Sequence, residues 1–132
     1  MFEAIQTQLA AACRARSGGR VAEARDAYAR AAALSREAGR PLLQAHALRH
    51  LSDIDREDGQ AAEALGHAEK AASLYRGKAG EPLDLANALR LKALALEDLH
   101  RPDQAVAAWT EARALYAAAE VAAGVAECEA RL

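Results

Sequence analysis

The feature that most constrains this chain is a period. AEARDAYARAAAL from Ala22, AEALGHAEKAASL from Ala62 and DQAVAAWTEARAL from Asp103 are three versions of one segment, spaced 40 and then 41 residues apart. A second comparison is independent of the first: AHALRHLSDIDREDGQ from Ala45 pairs with ANALRLKALALEDLHR from Ala86, again 41 residues on. Self-similarity at a fixed interval of this length marks a repeat architecture, in which one supersecondary unit recurs and stacks on its neighbour.

Each unit reads as two helices, because its apolar residues step by three and four along one helical face. Val21, Ala24, Tyr28, Ala31 and Leu34 make that stripe in the first unit. Ala64, Ala68 and Ala71, with Leu74 or Tyr75, repeat it; so do Ala105, Trp109 and Ala112, with Leu115 or Tyr116. The preceding helices carry Leu48, Leu51 and Ile54, then Leu89, Ala93 and Leu96. A lone pair of helices cannot cover all of this apolar surface, so each hairpin needs the next. Hydrophobic residues make up 52% of the chain but aromatics only 4%, and the excess is mostly alanine. Alanine favours helix and lets helices approach closely, yet each one buries little area, so such a core requires many helix–helix contacts.

Punctuation agrees with the pattern. Gly18-Gly19, Gly59 and His100-Arg101-Pro102 fall between the two helices of a unit, whereas Gly39-Arg40-Pro41 and Gly80-Glu81-Pro82 fall between units. Glycine closes a helix and proline opens the next. The spacing predicts helices over 2–16, 20–38, 42–57, 60–76, 82–99, 102–118 and 121–131. The expected fold is an all-α superhelix: three helical hairpins (about 2–38, 42–76 and 82–118) and a C-terminal capping helix (about 121–131), in a single domain of 132 residues.

Seventeen Lys and Arg against nineteen Asp and Glu give a net charge of −2, which draws the protein to neither nucleic acid nor anionic lipid. The opening MFEAIQTQLAAACRARSGG has no sustained apolar run, so neither a secretory signal nor a membrane span is expected, and the cytoplasm is the expected location. Cys13 and Cys128 lie at opposite ends of the chain and are expected to be reduced. Phosphate-cradling glycine loops and the serine-hydrolase elbow are missing from the sequence, and no enzymatic activity or cofactor is expected.

With these residues in view, the chain resembles the tetratricopeptide repeat (TPR) family over nearly its whole length. ALRHLSDIDREDGQAAEALGHAEKAASLY is similar to the family's first-helix, glycine-turn, second-helix pattern. Leu48 and Leu51 fall on its large apolar positions, Ser52 on the small residue where helices touch, Gly59 on the turn, and Ala64 and Ala71 on the small second-helix positions. Ala24 and Ala31, then Ala105 and Ala112, fill the same slots in the flanking units. The period exceeds the roughly 34 residues usual for the family, as in the extended TPR variants of bacterial proteins and kinesin light chains. That departure implies longer second helices or longer connections. Asp55 and Lys92 stand where the pattern has apolar residues, and His100 replaces the turn glycine. HEAT-like or other α-solenoid packing is the structural alternative.

The resemblance implies a protein–protein interaction scaffold whose first helices line a concave groove for a peptide or helix of a partner protein. Its outward positions would be Gln6, Leu9 and Cys13, then His46, Arg49, His50 and Asp53, then Asn87, Arg90, Leu91 and Leu94. Arg49 and Arg90 are equivalent, so they should stand side by side as a basic ladder able to grip a carboxylate, while His46 or Asn87 hydrogen-bonds a peptide backbone. The family's carboxylate clamp for chaperone tails has its slots filled here by Leu9, Cys13, His50, Asn87 and Leu91, so chaperone binding is not expected. His46, His50 and Asp53 share one helix face by spacing, but nothing accompanies them for metal chemistry and no bound metal is expected. His67 and His100, each alone, read as surface or turn residues. The alternative function is a homo-oligomer, a solenoid that self-associates through an open end where Val121, Val125, Cys128 and Leu132 make the last helix apolar.

Overall fold

The computed structural model describes residues 1–77 and 80–132. Among them are seven α-helices and no strand: α1 (Phe2–Ser17), α2 (Val21–Glu37), α3 (Pro41–Glu57), α4 (Ala61–Arg76), α5 (Pro82–Asp98), α6 (Pro102–Ala118) and α7 (Ala122–Arg131). The expected ends hold to within one residue. Helices pack chiefly on their sequence neighbours, with α3 also touching α5. The result is an all-α helical-repeat superhelix of three hairpins, closed by α7.

Local chemistry explains the regularity. At the end of α1, Gly19 takes φ +77°, the Arg20 amide donates to the Ala15 carbonyl at 2.8 Å, and the Gly19 amide donates to the Arg16 carbonyl at 3.1 Å. This is a Schellman closure, in which a left-handed residue lets the last orphan carbonyls be satisfied. The same pair of bonds closes α2, α3, α5 and α6. His100 and Glu120 adopt φ +58° and +61° at the left-handed position that Gly39 and Gly59 fill elsewhere, so the geometry survives where the glycine does not. Pro41, Pro82 and Pro102 stand at the first position of their helices, where the missing N–H has no partner to lose. The long period is taken up by the helices, the second helices among them, rather than by the connections. Both helices of a unit run 16 or 17 residues, and the closed connections are only three residues long.

The core is a continuous band of small residues with a few large ones wedged between them. Ala24 and Ala31, Ala64 and Ala71, and Ala105 and Ala112 are at most 2% exposed, and Trp109, Ile5, Ile54, Leu89 and Leu96 fill the gaps. Of the alternatives at the end of the second-helix stripe, Tyr75 and Tyr116 are buried, and Leu74 and Leu115 are half-buried. Ser52 is small because α3 meets α4 there, and its hydroxyl donates to the Ala64 carbonyl at 2.7 Å. Val21, expected on the buried face, is instead 44% exposed, because it opens α2 before that helix reaches its neighbours. Asp55 is buried and bridges three helices, with the His67 Nδ1 at 2.8 Å and the Arg25 Nε at 3.3 Å, so His67 is not the solitary histidine its sequence context suggested. Lys92 keeps its ammonium 3.7 Å from Glu69. No helix among the described residues is long and apolar enough to cross a membrane.

Candidate functional site

The first helices form a row joined by ion pairs between alternate helices. Arg16 on α1 reaches Asp53 and Glu57 on α3 at 2.8 and 3.0 Å. Arg56 on α3 reaches Asp98 on α5 at 2.9 Å, and Glu97 on α5 pairs with Arg131 on α7 at 2.5 Å. Positions 16, 56 and 97 are equivalent in the repeat. They make a ladder along one edge whose sign reverses at its last rung.

Between α3 and α5 this row opens into a cleft of about 180 Å³ lined by Arg49, His50, Asp53, Asn87, Arg90 and Leu91. Five of the six predicted site residues meet there. His46 stands behind, its ring edge-on to His50 with 4.7 Å between centroids. Leu94, expected to face outward, is only 3% exposed and belongs to the core; Leu91, also buried, supplies the apolar wall.

The electrostatics differ from the expected ladder. Arg49 and Arg90 do border one cleft, but neither guanidinium is bare. Arg49 stands 3.5 Å from Asp84 and 6.0 Å over the Tyr75 ring. Arg90 is held by two bonds to Glu127 on α7, Nε donating to Oε1 at 2.5 Å and Nη2 to Oε2 at 3.2 Å. Two parallel charge-assisted bonds are far harder to exchange than one long contact, so Arg49 is the available cation and Arg90 is a structural tie to the last helix. Asn87 is partly committed too, its carbonyl oxygen accepting from the Tyr116 hydroxyl at 2.7 Å, which leaves its amide N–H groups to donate. Burial pushes that phenol up to about 12, so it is a neutral donor at pH 7.

His50 stacks flat on Tyr28, with centroids 4.7 Å apart and planes within 5°. Burial lowers its pKa to about 4, with His46, Arg49 and Arg16 adding to the effect. Its Nδ1 lies 3.3 Å from the Arg16 Nη1, and because a guanidinium only donates, Nδ1 accepts and the proton sits on Nε2. Arg16 thus occupies the place a cation would need beside His50 and Asp53, balanced by Glu57. His46 is depressed as well, by burial and by Arg49. Among the described residues no three His, Cys, Asp or Glu side chains converge as metal ligands. Cys13 on α1 is exposed, Cys128 on α7 is buried, and both thiols are free.

Sequence reasoning missed Arg16, Asp84, Glu127 and Tyr116. The equivalent charged positions 16, 56 and 97 were a legible signal for the first of these. No protein-family profile matches the chain, and no curated protein matches it.

Proposed function

We propose that the protein is a TPR-like interaction scaffold that holds an extended segment or helix of a partner protein against α3 and α5. The observation that carries this reading is the imbalance of the cleft. The Arg49 guanidinium, the Asn87 amide and the His50 Nε2–H are hydrogen-bond donors, while the acidic neighbours Asp53 and Glu127 are already engaged by arginines. Donors that keep N–H groups to spare, Arg49 beyond its one long contact to Asp84 among them, stand beside Leu91 and complement the carbonyls or a carboxylate of a peptide with an adjoining apolar side chain. Neither catalysis nor a cofactor is part of the proposal, and the expected compartment is the cytoplasm.

The test is affinity capture with Arg49→Ala, Asn87→Ala and the double variant. Arg49 is held by a long contact to a half-exposed aspartate and by its place over the Tyr75 ring, both weaker than the paired bonds of Arg90, so its removal should lower the melting temperature little while capture falls. Undiminished capture by the double variant would remove the cleft as the contact. Arg90 is unsuited to this test, because its loss strands Glu127 and loosens α7.

A second reading is supported by the far end of the stack. Val121 and Val125, with Ala117, Ala122 and Ala126, border a mainly apolar hollow of about 400 Å³ rimmed by Glu120 and Glu129, and Leu132 is 52% exposed. Self-association there would leave Cys128 uninvolved, since it faces inward and is fully buried. Sedimentation over a concentration series separates the readings: a protein that stays monomeric at high concentration excludes the homo-oligomer.

A further inference from the structure

Three of the large exposed apolar side chains are one repeated position. Phe2, Leu42 and Leu83 follow each other at 40 and 41 residues, the period of the chain, and each lies at the start of a first helix, Phe2 as its first residue and Leu42 and Leu83 as the second. They are 44, 41 and 37% exposed. Scattered exposed leucines need no explanation, but one slot left open in every hairpin does. The three ends lie together. Arg40, just before α3, lays its guanidinium 4.5 Å above the Phe2 ring, and a Cβ on Gly80, just before α5, would stand 3.6 Å from the Leu42 Cδ2. An apolar hollow of about 340 Å³ opens beside Leu42, walled by Arg40, Pro41 and Leu43.

The size and charge of this edge indicate its occupant. The three exposed faces amount to roughly 200 Å², well short of the roughly 800 Å² that each partner of a stable complex buries. A second copy paired across Leu42 would also set Arg40 against Arg40. Arg40 has no carboxylate within ion-pair distance among the described residues, so the complement of this edge is apolar along its length with an acidic group near Arg40. We propose that the N-terminal ends of α1, α3 and α5 form a second docking edge, which takes a short amphipathic segment of a partner protein bearing apolar residues and one acidic residue. The edge is separate from the α3–α5 cleft, whose α3 residues begin two turns further along that helix at Arg49.

Panning the protein against a random dodecapeptide display library tests this directly. Selected peptides are synthesised and titrated against wild type, Leu42→Ser, Phe2→Ser and Arg49→Ala, with each variant's fold checked by circular dichroism. The expected result is peptides with two or more apolar residues and an Asp or Glu. Their affinity should fall at least tenfold on Leu42→Ser or Phe2→Ser and hold on Arg49→Ala. Failure to enrich any sequence overturns the proposal, as do peptides indifferent to both serine variants or lost only on Arg49→Ala. A wild-type dimer that Leu42→Ser converts to monomer overturns it too, because the occupant is then a second copy.

Discussion

Gly124 is the point at which α7 is fitted to the stack, and Gly124→Ala tests that fit. A Cβ there would stand 2.5 Å from both Cγ and Cδ1 of Tyr116 and 2.8 Å from Cδ2, whereas carbon atoms in contact prefer about 3.5–4.0 Å. The ring cannot swing aside cheaply, since it is buried and its hydroxyl is bound to Asn87. The strain must therefore move α7 outward by about an ångström, stretching the Arg90–Glu127 and Glu97–Arg131 pairs and opening the packing around Cys128. Overpacking of this kind costs about 1–3 kcal/mol, while replacing a mid-helix glycine by alanine returns about 1 kcal/mol of helix propensity. With three contacts below 3 Å the steric cost lies in the upper part of that range, about 2–3 kcal/mol, so sterics win and the net loss should be about 1–2 kcal/mol, or about 3–6 °C in melting temperature. Urea unfolding followed by circular dichroism measures it. A variant as stable as wild type, or more so, would mean that propensity acts unopposed and that α7 does not rest on Tyr116.

The other expectations concern the packing, the turns and the histidine pair. Ala71→Leu, at a fully buried contact, should cost about 1–3 kcal/mol in urea unfolding; unchanged stability would place the buried face elsewhere. His100→Gly should raise stability by about 1 kcal/mol, because the left-handed backbone at φ +58° penalises a side chain, and a less stable variant would refute that turn geometry. His50 titrates near 4 in the folded protein and near 6.5 when unfolded. The unfolded chain therefore binds the extra proton between these values, and stability is full above pH 6.5 and is lost as pH falls towards 4. Allowing for partial exposure, the loss is about 2 kcal/mol, with His46 adding in the same direction. Denaturation across that range should be flatter in His50→Gln than in wild type, and identical slopes would show that the ring is not buried on Tyr28.

What sequence could and could not disclose follows from the range of the interactions. The seven helices were legible because their signals are local: three-and-four spacing along a face, a glycine closing one helix, a proline opening the next. His100 and Glu120 show the limit of that punctuation, since a left-handed turn persists there without its usual residue. The cleft was legible as a place, because residues at equivalent repeat positions on α3 and α5 must face the same way. Its charge state was not. Whether Arg90 is free depends on Glu127, 37 residues on, and whether His50 and Asp53 can share a cation depends on Arg16, 34 and 37 residues back. Long side chains choose partners by stacking geometry, which the periodicity announces without specifying. Asp55 is the same lesson in the core, where an acid in an apolar slot becomes intelligible once Arg25 and His67 close on it from two other helices.

Serial order along the stack can be measured by electron-spin distances. Glu23, Glu63 and Gln104 are exposed and equivalent in the three hairpins, so spin labels there, in a background of Cys13→Ser and Cys128→Ala, report the advance from unit to unit. Stacked repeats predict a 23–104 separation about twice that of 23–63, with 63–104 matching the shorter value. A 23–104 distance equal to or shorter than 23–63 would mean that the helices close on themselves as a bundle.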